Sequence, residues 1–310
     1  MNKVIIVGGA TASGKSDFGV QLAKILDTQV ISCDSMQIYK GLDVGTAKIT
    51  ASQTQGVKHH LIDIVEPSKP FSVSEWRERA TDVIDQLHAK GKIPIIVGGT
   101  GLYIDSLVYK LSFFCNGDEE LREKLNLRLK EDGAQKMHEL LQSIDPEEAE
   151  KIHPNNTKRL IRALEIYYST GKIKSEKDER RLNEDYDFCL IVLSRDRQET
   201  YKRIDSRVDE MWRQGLVDEV RRIVDEGLAD WDCQSMQAIG YKEFRDYFEG
   251  KCDLEQVRRQ IKINSRHYAK RQISWLKRYD FGKWFDVDCD RDKAIEYAVN
   301  WANIDERNGE

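Results

Sequence analysis

Short apolar runs alternate with longer amphipathic stretches along most of the chain. Five of the runs are apolar on both faces, as expected for strands that are buried on both sides of a parallel sheet. The stretches between them repeat apolar residues at the spacing of an amphipathic helix. The pattern therefore predicts an α/β fold in which a parallel sheet is flanked by helices. The predicted strands cover residues 4–7, 29–33, 61–65, 93–97 and 188–193.

The interval between the fourth and fifth predicted strands interrupts this alternation. Residues 110–187 are highly charged and helical in pattern, as in the segment EELREKLNLRLKED, and the pairs Asp145-Pro146 and His153-Pro154 mark turns. We therefore predict two domains: an α/β core of residues 1–109 and 188–310 that includes C-terminal helices, and a helical insertion at 110–187. Composition alone leaves open whether the insertion covers a functional site or is a decoration of the core.

The first predicted strand runs into the sequence GATASGKS, which fits the phosphate-binding pattern G-x-x-x-x-G-K-[ST]. A strand before this loop and a helix after it are the context that the pattern requires, so the core is predicted to be a P-loop NTPase-like sheet. Backbone N–H groups at the helix N-terminus can surround an anion, Lys15 adds a positive charge, and the Ser16 hydroxyl can ligand Mg²⁺. The predicted phosphate-binding residues are Gly9, Ala10, Thr11, Ala12, Ser13, Gly14, Lys15 and Ser16.

The second predicted strand ends in the sequence ISCDSMQIYKG, which places Asp34 where open α/β sheets bind their ligands. The fourth strand continues into VGGTGLY without a carboxylate, so Asp34 takes the place of a general base on the acceptor side. Gly98, Gly99 and Thr100 indicate a second close approach of the backbone to a ligand. Two alternatives for Asp34 remain open, a cap of the following turn and a ligand of Mg²⁺.

Arg203 and Arg207 lie four residues apart in the sequence SRDRQETYKRIDSRVDEMWR and therefore share one helix face just beyond the fifth predicted strand. Guanidinium groups suit bidentate contact with phosphate oxygens. Spacing alone does not decide between this role and surface ion pairs with Glu199, Asp205 or Asp209.

Charge is distributed unevenly along the chain. The net charge of −5 over 310 residues argues by itself against a nucleic-acid partner. Residues 258–278, RRQIKINSRHYAKRQISWLKR, nevertheless contain eight Lys or Arg, two aromatic residues and no Asp or Glu. This segment favours a nucleic-acid surface over a solvated helix face, because it carries no compensating carboxylate. At helical spacing, a cationic stripe would consist of Arg259, Lys262, Arg266 and Lys270.

The remaining composition excludes several classes of protein. No run of 18 apolar residues is present and the first strand begins without a basic leader, so we expect a cytoplasmic protein with no membrane partner. The six cysteines include no C-x-x-C pair, which excludes a zinc site of that kind and a disulfide framework. We expect a monomer.

Six segments, in this order, resemble the bacterial tRNA dimethylallyltransferases, also called isopentenyl-tRNA transferases. They are ATASGKS, CDSMQIYKGLDVGTAK, VGGTGLY, HPNNTKRLIRALE, QAIGYKE and KRQISWLKR, and together they span nearly the whole chain. The resemblance implies transfer of a dimethylallyl group from its diphosphate to the exocyclic amine of an adenosine beside the anticodon. It implies Asp34 as the general base, Mg²⁺ as the cofactor, and Lys15, Thr100, Arg203 and Arg207 as further catalytic residues around the diphosphate.

The resemblance also implies that the insertion embraces the anticodon arm of the tRNA. It carries four tRNA-contacting segments and two isolated positions over to this chain. The segments are Asp34, Ser35, Met36 and Gln37; Lys158, Arg159, Leu160, Ile161 and Arg162; Gln237, Ala238, Ile239, Gly240, Tyr241 and Lys242; and Lys270, Arg271, Gln272, Ile273, Ser274, Trp275, Leu276 and Lys277. The isolated positions are Thr100 and Arg122.

Two other functions are compatible with the residues taken without the resemblance. A small-molecule kinase would use the same loop for ATP and would also place an acceptor carboxylate after the second strand. A non-catalytic tRNA-binding protein would keep the loop as a structural element. A kinase would consume ATP, whereas a prenyltransferase would not. A non-catalytic tRNA-binding protein would bind tRNA without transferring any group to it.

Overall fold

The structure, a computed structural model, describes residues 2–111, 119–175 and 181–304. The described residues form six strands that join into one parallel sheet in the order β3-β2-β4-β1-β5-β6. The strands are β1 (Lys3–Gly9), β2 (Val30–Cys33), β3 (His59–His60), β4 (Ile95–Gly98), β5 (Asp187–Ser194) and β6 (Lys283–Asp286). The predicted α/β fold with a parallel sheet flanked by helices is confirmed.

Helices connect the strands and cover the sheet. Those of the described residues are α1 (Lys15–Ile25), α2 (Ala51–Thr54), α3 (Val73–His88), α4 (Gly101–Val108), α5 (Glu119–Ile144), α6 (Pro146–Glu150), α7 (Thr157–Thr170), α8 (Arg197–Arg213), α9 (Leu216–Asp225), α10 (Arg245–Phe248), α11 (Leu254–Leu276) and α12 (Arg291–Ala302). The start of α11 is fixed by a capping box, in which Asp253 and Gln256 each accept a hydrogen bond from the other's backbone N–H. Within the described ranges, no helix is long and apolar enough to cross a membrane.

Four of the five predicted strands match observed strands within two residues at each end, and the third was wrong. The chain pairs with β2 at residues 59–60, but Leu61 and Asp63 then take φ values of 61° and 55°. Left-handed residues interrupt a strand, so within 61–65 only Val65 pairs, as an isolated bridge to Tyr39. Strand β6 was not predicted, because it is a short edge strand whose side chains are exposed or half-buried.

The helices that carry the loops of the site pack directly on the central strand. Ile5 and Val7 of β1 share one buried cluster with Phe18 and Leu22 of α1. On β1, a Cβ atom at Gly8 would lie 2.9 Å from Leu276 Cδ2, so the C-terminal turn of α11 packs closely here. The carboxyl end of β1 is therefore held against both α1 and α11.

The chain divides into two compact units, Met1–Val108 with Asn183–Glu310, and Tyr109–Leu182. The predicted insertion, 110–187, extends five residues beyond the second unit. Asn183 belongs to the first unit, since its N–H donates to the Val108 carbonyl and its Nδ2 to the Leu107 carbonyl. Residues 112–118 and 176–180 of the predicted insertion lie outside the described residues.

The second unit has its own apolar core. Helices α5, α6 and α7 pack around Met137, Leu141, Leu160 and Leu164, all of which are buried. Helix α5 is divided at Gly133, whose φ of 82° and ψ of 162° are not helical. The helical character predicted from the charged pattern is thus present in this unit.

Candidate active site

The phosphate-binding loop, residues 9–16, leaves the carboxyl end of β1 and leads directly into α1. Gly14 has φ 84° and ψ 20°, a left-handed conformation that glycine adopts without strain. A Cβ atom at Gly9 would lie 2.6 Å from the Leu193 carbonyl oxygen and 2.7 Å from Ser13 Oγ, so a larger residue does not fit beside β5. Both motif glycines are therefore required by backbone geometry, and the loop ends at a helix N-terminus that favours an anion.

Polar groups of the loop are poised for a negatively charged ligand. The Ser13 hydroxyl is buried and has no hydrogen-bond partner among the described residues. Lys15 Nζ donates to the Ala10 carbonyl at 2.6 Å. The pKa of Lys15 is lowered to about 8, first by burial and then by the positive charge of Arg207, while the carboxylate of Asp34 acts in the opposite direction. A bound phosphate would give Ser13 a partner and would favour the charged ammonium.

Asp34 follows directly after β2, and its two carboxylate oxygens have different surroundings. Oδ1 accepts hydrogen bonds from the backbone N–H groups of Met36 at 2.9 Å and Gln37 at 3.3 Å. Among the described residues, Oδ2 accepts no hydrogen bond. Asp34 is thus a turn cap through one oxygen, as one alternative proposed, while the other oxygen remains available for a ligand.

Thr100 joins the end of β4 to the segment that carries Asp34. Its N–H donates to the Cys33 carbonyl at 3.2 Å, and its Oγ1 accepts from the Ser35 N–H at 3.1 Å. The side chain of Tyr268 is hydrogen-bonded to Thr100, and burial raises the pKa of the Tyr268 hydroxyl. Thr100 therefore positions the turn that holds Asp34, whatever further contact it makes with a ligand.

The two predicted arginines occupy one face of α8 and differ in their surroundings. Arg203 is half exposed, lies 3.4 Å from Glu199 and 3.7 Å from Asp288, and is therefore partly neutralised. Arg207 donates through Nη2 to the Thr46 carbonyl at 3.3 Å, and burial lowers the pKa of its guanidinium. Arg207 is consequently the arginine whose charge acts on Lys15 and Asp34.

Two clefts meet at this face of α8. One, of about 480 Å³, is lined by residues 12–17 together with Arg203 and Arg207, and we call it the loop cleft. The other, of about 250 Å³, is lined by Asp34, Met36 and apolar side chains of α8 and α11, and we call it the Asp34 cleft. Of the described residues, only Arg207 and Met211 line both clefts. The two clefts therefore adjoin at Arg207 and Met211, so a group bound in one cleft and a group bound in the other lie on either side of these two side chains.

The loop cleft also contains the oxygen expected to hold a metal ion. Ser16 and Asp17 line it, and Ser16 is exposed. No group of three His, Cys, Asp or Glu side chains that could hold a metal occurs within the described part of the chain. This donor set fits Mg²⁺, which keeps several waters and commonly binds through one or two protein oxygens plus substrate phosphates.

Sequence reasoning missed the positioning role of Gln272 on α11. Its Oε1 accepts from the Thr11 N–H at 2.7 Å and its Nε2 donates to the Gly99 carbonyl at 3.1 Å. A Cβ atom at Gly99 would lie 2.0 Å from Gln272 Nε2, which explains the second glycine of the Gly98-Gly99 pair. The buried Gln272 side chain therefore links the phosphate-binding loop to the loop that carries Thr100.

A second missed residue is Glu219 of α9, which is buried and holds the loop 43–47 between β2 and α2. Its carboxylate accepts hydrogen bonds from the N–H groups of Asp43, Val44 and Gly45 at 2.8–3.0 Å. It also accepts from the Tyr241 hydroxyl at 2.6 Å. Because Gly45 and Thr46 line the Asp34 cleft and Val44 and Ala47 line the loop cleft, Glu219 fixes a loop that contributes to the wall of each cleft. No local sequence pattern marks this contact, because Glu219 lies more than 170 residues from the loop.

The segments predicted to contact tRNA contain both exposed and buried side chains. In this structure the buried members, whose side chains pack within the protein, are Leu160, Ile161, Ala238, Tyr241, Gln272 and Leu276. The exposed members are Lys158, Arg159, Gln237, Lys242, Lys270, Arg271, Ser274 and Lys277, and the partly exposed ones include Ser35, Met36, Gln37, Arg162, Ile239, Ile273 and Trp275. The exposed cations are therefore the members best suited to contact a phosphate backbone.

Within the second unit, the predicted position Arg122 is neutralised. Glu165 is fully buried and accepts hydrogen bonds from Arg122 Nη2 at 3.0 and 3.3 Å. Arg162 lies 3.0 Å from the same carboxylate. Lys158 is exposed on the first turn of the same helix, α7.

The predicted cationic stripe on α11 requires a correction. The helix is present and the four residues follow its spacing, but α8 supplies the carboxylates that the segment itself lacks. Lys262 lies 2.5 Å from Asp209, and Arg266 forms a two-point ion pair with Asp205. Among the described residues, Arg259, Lys270, Arg271 and Lys277 are exposed and lie in no ion pair, so three of the four unneutralised cations of this segment lie toward its C-terminal end.

The amino-acid sequence is similar to that of a known protein family whose members are tRNA dimethylallyltransferases. The family model described as IPP transferase matches residues 37–279. The chain is 48% identical over 289 residues to the tRNA dimethylallyltransferase of Geobacillus thermodenitrificans, which covers 92% of this chain and 90% of the relative. It is 49% identical over 291 residues to that of Thermoanaerobacter pseudethanolicus, with 92% of each chain covered.

Solved structures give the same result at the level of the fold. The chain matches the full-length tRNA isopentenylpyrophosphate transferase of Bacillus halodurans with a TM-score of 0.71 and 44% identity, covering 97% of this chain and 95% of that one. It matches a eukaryotic dimethylallyltransferase acting on tRNA with a TM-score of 0.84 and 30% identity, covering 99% of this chain and 80% of the other.

Proposed function

The chain belongs to the IPP transferase family, and on that premise we propose that it transfers the dimethylallyl group of dimethylallyl diphosphate to a tRNA. The acceptor is the exocyclic amine of the adenosine next to the anticodon, and diphosphate is released. The observation that carries this proposal is the juxtaposition of a cationic phosphate-binding cleft with a cleft that contains an available carboxylate oxygen, Asp34 Oδ2. The names of the relatives support a dimethylallyl group and a tRNA, while the diphosphate form of the donor and the adenosine beside the anticodon follow from the family resemblance.

On the donor side, the chain stabilises the leaving group. The bond from the first carbon of the dimethylallyl group to the diphosphate oxygen breaks, and negative charge accumulates on that oxygen. The loop N–H groups, Lys15 and Arg207 face this charge in a partly desolvated cleft, where fixed donors are worth more than in water. Arg203 lines the same cleft and adds a more weakly acting cation because Glu199 and Asp288 compensate it.

On the acceptor side, Asp34 receives a proton. As the new bond forms between the first carbon of the dimethylallyl group and the adenine amine nitrogen, that nitrogen becomes acidic and passes its proton to Asp34 Oδ2. Oδ1 stays hydrogen-bonded to the turn and keeps the carboxylate in place. Because the adenine must leave the base stack to enter the cleft, tRNA contacts elsewhere have to offset a few kcal/mol.

Magnesium would be held by the Ser16 hydroxyl together with diphosphate oxygens and water. When bound, it supplies positive charge to the diphosphate. The remaining steps described above depend on residues of this chain.

The tRNA backbone is bound by exposed cations in each unit. In the first unit these are Lys270, Arg271 and Lys277 of the α11 region, which carry no ion pair among the described residues. The second unit presents Lys158 and Arg159 at the start of α7. Contacts of this kind give affinity and orientation, whereas the base that reacts is chosen in the Asp34 cleft.

Incubation of the purified protein with labelled dimethylallyl diphosphate, Mg²⁺ and unmodified tRNA tests the proposal. We expect label on the exocyclic amine of the adenosine beside the anticodon, with one diphosphate released per transfer and no consumption of ATP in parallel reactions. Consumption of ATP without labelling would support a kinase. Tight tRNA binding without transfer would support a non-catalytic tRNA-binding protein.

Asp34→Asn tests whether Oδ1 holds the turn while Oδ2 accepts the proton. The Asn amide oxygen can still accept from the Met36 N–H, so the turn and donor binding should survive. Turnover should fall by roughly 10²- to 10⁴-fold, the usual contribution of a positioned general base. Single-turnover transfer and a separate donor-binding titration provide the measurement, with Asp34→Ala as the variant that also loses the turn. Donor binding weakened as much as turnover in the Asn variant would instead indicate a metal ligand.

A further inference from the structure

Met211 occupies a position that no step of the proposed reaction explains. It lies one helical turn beyond Arg207 on α8, it is 8% exposed, and with Arg207 it lines both the loop cleft and the Asp34 cleft. The donor has its diphosphate in the loop cleft, and its first carbon is attacked from the Asp34 cleft. The donor must therefore extend across the passage between the two clefts. Arg207 supplies charge at this passage, and Met211 supplies its apolar surface.

The loop 43–47 contributes another part of the wall beside this passage, where the Thr46 carbonyl accepts a hydrogen bond from Arg207. Gly45 and Thr46 line the Asp34 cleft, while Val44 and Ala47 line the loop cleft. The three hydrogen bonds to Glu219 hold the backbone at residues 43–45. A Cβ atom at Gly45 would lie 2.4 Å from the Tyr241 ring, so the buried tyrosine supports this wall from behind. A longer substrate therefore cannot enlarge the passage by displacing the loop without breaking buried hydrogen bonds.

The volume of the Asp34 cleft sets a second limit. A cavity of about 150 Å³ accommodates one six-carbon ring. A cleft of about 250 Å³ is therefore large enough to take a purine base. With the adenine in place, the prenyl chain of the donor has to lie in the passage beside Met211.

We propose that Met211 sets the length of the prenyl group that this protein transfers. The inference rests on the proposed function and adds a specificity-determining residue to it. The Met211 side chain and the 43–47 loop leave a passage that fits a five-carbon dimethylallyl chain and excludes the ten-carbon chain of geranyl diphosphate. The bond change is the same for either donor: the carbon–oxygen bond to diphosphate breaks, the carbon–nitrogen bond to adenine forms, and the amine proton goes to Asp34.

Competition between dimethylallyl diphosphate and geranyl diphosphate tests this role. For the wild type, kcat/KM with geranyl diphosphate should be at least about 100-fold lower, because apolar pockets discriminate roughly 10- to 200-fold per methylene group. Met211→Ala removes the side chain beyond Cβ and should raise the ratio of geranyl to dimethylallyl transfer by at least about tenfold. Met211→Val retains more of the side chain and should raise the ratio of geranyl to dimethylallyl transfer by less. This variant tests the proposal if the alanine variant does not fold.

Matched variants separate chain length from general damage. Met211→Leu conserves volume and should keep geranyl diphosphate excluded. Met36→Ala removes the same kind of side chain from the Asp34 cleft away from the passage, so it should not raise the ratio. A wild type that transfers both chains within a few-fold, or folded Met211 variants with an unchanged ratio, would overturn the proposal. Absence of any transfer by the wild type would instead contradict the proposed function itself.

Discussion

The distribution of ion pairs along α11 makes a quantitative prediction about tRNA binding. Lys262 and Arg266 are already neutralised by Asp209 and Asp205 of α8, whereas Lys270 and Lys277 are exposed and carry no ion pair among the described residues. A cation that contacts an RNA phosphate releases condensed counterions, but a cation already paired with a carboxylate releases fewer. The two pairs of residues should therefore contribute differently to the salt dependence of binding.

The magnitude follows from the number of contacts. Each phosphate contact contributes a slope of about 0.7 to 0.9 in the logarithm of affinity against the logarithm of salt concentration. Neutralising both unpaired lysines, as Lys270→Gln with Lys277→Gln, should flatten the slope by about 1.4 to 1.8. Between about 50 and 300 mM salt, the advantage of the wild type over this variant should shrink by roughly 12- to 25-fold. The adenosine that is modified should not change, since backbone contacts carry no base identity.

The matched control is Lys262→Gln with Arg266→Gln, which removes the same number of charges from the same helix. Its slope should change by less than about 0.7, because these cations are compensated before tRNA binds. The assay is the tRNA dissociation constant measured by fluorescence anisotropy across the salt range for all three proteins. Equal flattening in both variants, or flattening confined to the control, would refute the assignment of phosphate contacts from ion pairing.

Two further predictions concern the phosphate-binding loop. The pKa of Lys15 is lowered to about 8 in the ligand-free protein, and a bound diphosphate favours the ammonium form. Affinity for the donor should therefore fall by up to tenfold per pH unit above about pH 8 and should be constant below it. Lys15→Met should remove this pH dependence, as a binding titration between about pH 7 and 9.5 would measure. Gln272→Ala leaves the buried Gly99 carbonyl and the half-buried Thr11 N–H without their partner. Chemical denaturation should therefore show a loss of about 1 to 4 kcal/mol in the free energy of unfolding, and kinetics should show a raised KM for the donor, while unchanged values of both would contradict the positioning role.

Local sequence patterns were sufficient to predict the elements whose structure depends on residues close together in the chain. The phosphate-binding loop is recognisable because Gly9 and Gly14 satisfy backbone constraints within eight residues of one another. Helices α8 and α11 contain the charged residues that were placed at helical spacing, and the position of Asp34 follows from the rule that ligands bind at the carboxyl ends of parallel strands. The third strand could not be placed, because the left-handed residues Leu61 and Asp63 end it within an apolar run.

Features that depend on contacts between distant segments were not predictable in this way. The carboxylates that neutralise Lys262 and Arg266 come from α8, about 50 to 60 residues earlier in the chain. Charge counted along a segment therefore overstated the free cations of α11. Gln272 was assigned to a tRNA-contacting segment by its place in a motif, yet both ends of its amide are used inside the protein.

The placement of charge suits the proposed binding of both RNA and a small diphosphate by one protein. On the helix surfaces, cations such as Arg266 are paired with carboxylates, which limits the attraction of nonspecific anions. At the junction of the two clefts, burial lowers the pKa of both Lys15 and Arg207, and Asp34 is the carboxylate that acts on both of them. The cost of burying these two charges is therefore only partly offset until an anion arrives, and a diphosphate offsets more of it as its leaving oxygen gains charge. An interaction lowers the activation barrier only if it is stronger in the transition state than in the bound substrate. The interaction of Lys15 and Arg207 with the diphosphate strengthens as the diphosphate departs, so their incompletely compensated charge contributes to catalysis as well as to binding.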